Sequence, residues 1–161
     1  MTLSVGDRVP EATLFVPSAD GPRKTTTAEM FAGRRVVLVG MPGAFTPTCH
    51  RNHLPGFIEN SDAILEKGVD EIVVLTTNDA YVIDAWAEAT GAKDRVRFVS
   101  DGNAEFIGKA GLGMDRTERG MGFRAKRFAM IVDDGVVTSI AIEDAPGQML
   151  TSGAAHILAQ L

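Results

Sequence analysis

Val36-Val37-Leu38-Val39-Gly40 leads through Met41 into Pro42-Gly43-Ala44-Phe45-Thr46-Pro47-Thr48-Cys49. The first five residues form a continuous apolar, β-branched run, too short for a helix and patterned for a strand buried on both faces. Pro42 and Gly43 then turn the chain sharply. Thr46 is a natural N-cap, Pro47 suits the first helical position, and Cys49 falls at the third. The stretch predicts a buried strand turning into a helix whose first turn carries the single cysteine of this 161-residue chain. Backbone N–H groups there lack intrahelical partners, and the positive end of the helix dipole favours an anionic sulfur. Cys49 is therefore expected as a thiolate more often than an average cysteine.

On the N-terminal side, Pro10, Pro17, Gly21 and Pro22 punctuate short apolar stretches, which predicts an extended hairpin over the first thirty residues. On the C-terminal side a helix is expected to break at Pro55-Gly56 and to resume over Ala63-Ile64-Leu65-Glu66-Lys67, with Gly68 as its stop. Glu71–Thr76 reads as the next strand. Asn78-Asp79 can cap a helix with Val82, Ile83, Trp86 and Ala89 on one apolar face. Val96–Ser100 predicts a strand and Ala104–Ala110 a short helix, while Asp115–Phe123 has no periodicity and reads as a mobile loop. Phe128–Val132 and Val136–Ile142 flank Asp133-Asp134-Gly135, a strong hairpin signal. Ser152 opens a last amphipathic helix. Alternating strands and helices, then a hairpin and a helix, predict an α/β fold: a mixed central sheet with helices on both faces and an N-terminal β-hairpin. This element order is similar to a thioredoxin-like fold, and no repeat or linker divides residues 1–161 into more than one domain.

The composition, 45% hydrophobic and 23% charged, is that of a soluble globular protein. No apolar run approaches the ~20 residues of a membrane helix, and the N-terminus lacks the plan of a signal peptide. A formal charge of −5 disfavours a nucleic-acid partner. A lone cysteine suits a reducing compartment, so a cytoplasmic protein is expected.

The residues alone leave several readings of Cys49. Lone cysteines are commonly small buried apolar groups. Cys49 and His53 share a helical face that two ligands would make into a poor metal site, and a Cys–His pair for acyl transfer lacks an identifiable acid. A non-catalytic redox sensor or regulatory binding protein is the principal alternative to an enzyme. His53 is read as a packing or orienting residue, His50 as exposed, and Trp86 and Tyr81 as packing residues.

Taken with His53-Leu54-Pro55-Gly56-Phe57, the Pro42–Cys49 segment closely resembles the active-site segment of the peroxiredoxins, specifically the type II (Prx5) branch. Val5-Gly6-Asp7, Thr77-Asn78-Asp79 with Trp86 beyond it, and Arg124-Ala125-Lys126-Arg127-Phe128-Ala129-Met130 also resemble that branch. The resemblance implies a thiol peroxidase in which Cys49 attacks a hydroperoxide and becomes a sulfenic acid. It implies that Pro42 shields the thiolate, that Thr46 hydrogen-bonds the peroxide, and that Arg127 stabilises the sulfur anion and the leaving oxygen. Arg124 is a rival for that place, and only the resemblance favours Arg127. Strand alternation would put Arg127 and Ala129 on one face, Phe128 and Met130 on the other. Backbone N–H groups near Thr48 and Cys49 should assist, with no metal or organic cofactor required. Gly120–Phe123 could line an apolar approach or a subunit contact. Where some relatives carry a resolving cysteine, this chain has about Thr151 or Val74. The expectation is a one-cysteine, homodimeric enzyme reduced by an external thiol, either glutathione with glutaredoxin or thioredoxin.

Overall fold

The computed structural model describes residues 2–161. Strands β1 (Thr13–Val16) and β2 (Arg23–Thr26) form the expected N-terminal hairpin. Helix α1 (Thr27–Phe31) follows at once, because extended Thr26 turns its side chain back to accept from the Glu29 N–H. The first thirty residues thus include a helical turn that the punctuation by proline and glycine did not reveal.

Next come β3 (Arg35–Gly40), a π-helical turn at Cys49–His53, α2 (Leu54–Glu59), α3 (Ser61–Glu66), β4 (Glu71–Thr76) and α4 (Ala80–Thr90). Pro55-Gly56 does not break the helix as expected: α2 runs through it, the turn before it is widened, and the break comes at Asn60, between α2 and α3. Pro55 sits at the start of α2, and the chain absorbs its missing N–H by widening the preceding turn, in which the Leu54 N–H bonds to the Cys49 carbonyl. Asp79 caps α4 through the Val82 N–H.

The remaining elements are β5 (Arg97–Ser100), α5 (Glu105–Ala110), β6 (Gly113–Asp115), β7 (Phe123–Ala125), β8 (Phe128–Asp133), β9 (Val136–Ile142) and α6 (Ala154–Gln160). The segment read as a mobile loop is the connection of a hairpin: β6 pairs antiparallel with β7, and a 3₁₀ turn at Thr117–Arg119 lies between them. Gly113 lets the Phe123 ring lie on its backbone, where a β-carbon would collide. Ser152 does not cap α6; Gly153 holds that position and the Ser152 hydroxyl goes to Glu143.

Seven strands join in one sheet, ordered β2-β1-β5-β4-β3-β8-β9, with β3, β4 and β5 parallel and the others antiparallel. Alternation divides the core between the two faces. Val36, Leu38, Val73, Leu75, Phe128 and Met130 pack with α1 and α5, whereas Val37, Val39, Ile72, Val74, Ala129 and Ile131 pack with α2, α3, α4 and α6. Cys49 belongs to the second face.

Candidate active site

The site lies beyond the carboxyl ends of parallel β3 and β4, where an open α/β sheet leaves a crevice. After β3, Phe45 takes a left-handed backbone with φ of 62°, a conformation that costs a side-chain-bearing residue about 1–2 kcal/mol. Two contacts hold the turn. The Ala44 N–H donates to Asn78 Oδ1 at 2.8 Å, and the Phe45 ring stacks on His50 at 5.5 Å between centroids. His50 is half-buried rather than exposed, because its Nδ1 accepts from the Trp86 indole at 2.9 Å.

Thr46 occupies the N-cap position of the backbone, its carbonyl accepting from the His50 N–H at 2.8 Å. Its hydroxyl instead donates to the Gly43 carbonyl at 2.7 Å. Two helical residues later the chain enters the π turn, which turns Cys49 and His53 inward together; both are fully buried.

Arg127, just before β8, reaches the sulfur. Its Nη2 lies 3.2 Å from Cys49 Sγ, and Nη1 donates to His53 Nδ1 at 2.9 Å. Nε and Nη2 both donate to the Pro146 carbonyl, at 3.2 and 2.9 Å. Such charge-assisted bonds stabilise an anionic sulfur. Among the described residues, the hydrogen bond to the sulfur comes from the guanidinium rather than from a backbone N–H of the first turn. Arg124 serves another atom, donating to the Pro42 and Met121 carbonyls. The alternation along this strand is as expected, since Ala129 packs on the face of Cys49 and Phe128 on the other.

The bond from Arg127 fixes the His53 tautomer: Nδ1 accepts, so Nε2 carries the hydrogen and donates to the Ser152 carbonyl at 2.8 Å. Both ring nitrogens are thereby engaged. Burial, helped by the nearby Arg127 charge and opposed by the Ser152 bond and Glu143, lowers the imidazole to about 4, so it is neutral at pH 7. Ser152 returns the chain of contacts to Glu143, whose Oε2 accepts from the Ser152 hydroxyl, the Ser152 N–H and the Thr151 N–H at 2.6 to 2.8 Å. Burial alone would raise the Glu143 carboxyl, but these bonds and one from Leu150 outweigh it and hold it at about 2. The Glu143 N–H also donates to the Arg127 carbonyl at 2.9 Å. Glu143 thus anchors both ends of the loop that presents Pro146 to Arg127.

A cleft of about 280 Å³ opens above this network, lined by Pro42, Thr46, Thr48, Arg127 and Pro146 with Arg116, Arg119 and Met121. The sulfur lies immediately behind its wall, one guanidinium contact from the space. The four site residues expected from sequence, Pro42, Thr46, Cys49 and Arg127, meet here. Sequence reading missed Asn78 as the clamp on the turn, although its place at the end of β4 beside β3 was a usable signal. It also missed Glu143 and Pro146, which carry no motif.

Residues 4–158 match the Redoxin family. The chain is 46% identical to the chloroplastic peroxiredoxin-2E-2 of Oryza sativa subsp. japonica over 99% of its own length and 73% of the relative's. It is 40% identical to peroxiredoxin-2B of Arabidopsis thaliana, over 99% and 98% of the two chains. The crystal structure of reduced Prx3 in complex with hydrogen peroxide, from Vibrio vulnificus, superposes with a TM-score of 0.92 at 43% identity, covering 98% of both chains. A thioredoxin-like fold with this family match and these relatives places the chain among the peroxiredoxins of the type II kind, as a thiol peroxidase with a single cysteine.

Proposed function

We propose that Cys49 is the peroxide-reacting nucleophile of this thiol peroxidase, with Arg127, Thr46 and Pro42 as the groups that make its reaction fast. The observation that carries this reading is the 3.2 Å contact of Arg127 Nη2 with Cys49 Sγ at the wall of an open cleft. A hydroperoxide enters between Thr46 and Arg127, and a small displacement of the Thr46–Thr48 turn exposes the sulfur to it. The thiolate attacks the terminal oxygen, the S–O bond forms as the O–O bond breaks, and the departing oxygen leaves with the electron pair and takes a proton. Negative charge moves from sulfur to oxygen, so a fixed guanidinium, joined by the Thr46 hydroxyl once it turns its hydrogen from the Gly43 carbonyl to the peroxide, stabilises the transition state more than the ground state. Pro42 adds an apolar wall that keeps water from the anion.

Cys49 is then a sulfenic acid with no second cysteine in the chain to resolve it. An external thiol completes the cycle, with glutathione plus glutaredoxin, or thioredoxin, as the reductant. A homodimer in the cytoplasm is the proposed setting, and sedimentation velocity tests the dimer. The deciding experiment for the nucleophile is turnover of hydrogen peroxide with each reductant in excess. Cys49→Ser is expected to abolish consumption while keeping the fold, and substantial turnover by that variant would remove Cys49 from the reaction. Consumption limited to one equivalent by the unmodified protein with every reductant would favour a redox sensor.

A further inference from the structure

The cleft is more basic than the sulfur requires. None of its lining residues is acidic, yet Arg116 and Arg119 reach it from the β6–β7 hairpin in addition to Arg127. Arg127 spends its donors on Cys49, His53 and Pro146. Arg116 and Arg119 have no such commitment: among the described residues, neither lies within ion-pair distance of a carboxylate. Arg116 Nε is buried without an acceptor. A buried N–H of a charged group left unpaired is costly, and Arg116 Nε has no partner among the protein's described residues. The neighbouring acids do not supply it. Asp115 accepts from the Thr117 N–H and hydroxyl, and Glu118 is exposed. In a chain of net charge −5, this cluster is not a by-product of composition.

We propose that Arg116 and Arg119 form a carboxylate-binding arm of the cleft, seating the anionic group of a small molecule that reacts at Cys49. The proposal rests on the assignment of Cys49 as the reacting sulfur. Guanidinium matches a carboxylate with paired N–H donors, whereas neutral hydrogen peroxide needs no such arm. Two reactants have the required chemistry. A carboxylate-bearing thiol would attack the Cys49 sulfenic sulfur: the S–S bond forms, the S–O bond breaks, and the hydroxyl leaves as water with the thiol's proton. A second thiol then releases a small disulfide and returns Cys49 to the thiol. Alternatively, a carboxylate-bearing hydroperoxide would be the oxidant, held by the same arm during O–O cleavage.

The test compares charged and uncharged forms of each reactant on the unmodified enzyme and on Arg116→Gln/Arg119→Gln. In one arm the pre-formed sulfenic acid is reduced by glutathione or by its diethyl ester; in the other the reduced enzyme is oxidised by a short-chain hydroperoxy acid or by its methyl ester. The readout is the ratio of the two second-order rate constants, which cancels any general disturbance of the site. The expected result is about a tenfold fall in that ratio in the variant, the rate equivalent of two partly exposed ion pairs, and a matching fall in the unmodified enzyme at high salt. A fall confined to the thiol arm identifies the reductant as the ligand, and one confined to the peroxide arm identifies the oxidant. An unchanged ratio in both arms overturns the proposal. Failure of the unmodified enzyme to form a sulfenic acid with hydrogen peroxide would instead overturn the assignment of Cys49.

Discussion

The Arg127 guanidinium faces sulfur, imidazole and carbonyl on different edges, and each contact constrains the other two. Pro146 and His53 stop it from swinging towards solvent, so its charge stays beside Cys49 as the reaction proceeds. A lysine offers three donors from one flexible nitrogen and cannot serve these directions together. Arg127→Lys should therefore slow oxidation by hydrogen peroxide about a hundredfold, as for loss of one preorganised donor, in stopped-flow measurements that follow the sulfenic acid. A rate within a factor of three of the unmodified enzyme would show that charge alone suffices. His53 takes part as a neutral acceptor. A protonated imidazole would turn a donor towards Arg127, which explains why its buried, depressed state suits this position.

The elements set that geometry through register. In the β8–β9 hairpin, Asp134 and Gly135 both have positive φ, as a two-residue turn of the primed kind requires. Asp133 then pairs with Val136 and Val132 with Val137, but Ile131 pairs with Ser139. Thr138 is the extra residue of a bulge, and beyond it Phe128 faces Ile142, which brings Glu143 opposite Arg127. Counting outward from the turn would have put Ile142 there. This is why the hairpin was legible in the sequence while its most consequential partner was not: the turn residues state their conformation locally, whereas a bulge depends on both strands. The Thr46-Pro47 start of the helix was legible for the same local reason, and the widened turn at Cys49 was not, since Pro55 acts on it from the following helix. Close approach between β3 and β8 gives a sharp test. Gly40 lies against the Phe128 ring, where a β-carbon would overlap it, so Gly40→Ala should cost about 3 kcal/mol by overpacking, read from urea denaturation. Gly40→Ala/Phe128→Leu should recover part of the loss.

At the scale of the whole molecule, the network joins β3, β8, β9 and α6 through two groups whose ionisation is shifted downward. His53 falls from 6.5 to about 4 and Glu143 from 4.5 to about 2. In both, the unfolded chain binds the proton more readily, so their contributions to stability are complete above the unfolded values and are lost as pH falls. The His53 contribution should fade between pH 6.5 and 4, and that of Glu143 between 4.5 and 2. Urea midpoints measured across this range are expected to decline in two overlapping stages, with His53→Gln removing the upper stage and Glu143→Gln the lower. A variant that left its stage intact would disconnect that group from folding. The thiol itself is fully covered within this frame, and that concealment reaches beyond one molecule. While the Thr46–Thr48 turn is closed, two copies cannot bring sulfur to within the roughly 2.05 Å of a covalent bond. Oxidised native protein should therefore migrate as a single-chain band on a non-reducing denaturing gel when free thiols are blocked before unfolding, and any cross-linked band would report molecules that had already opened.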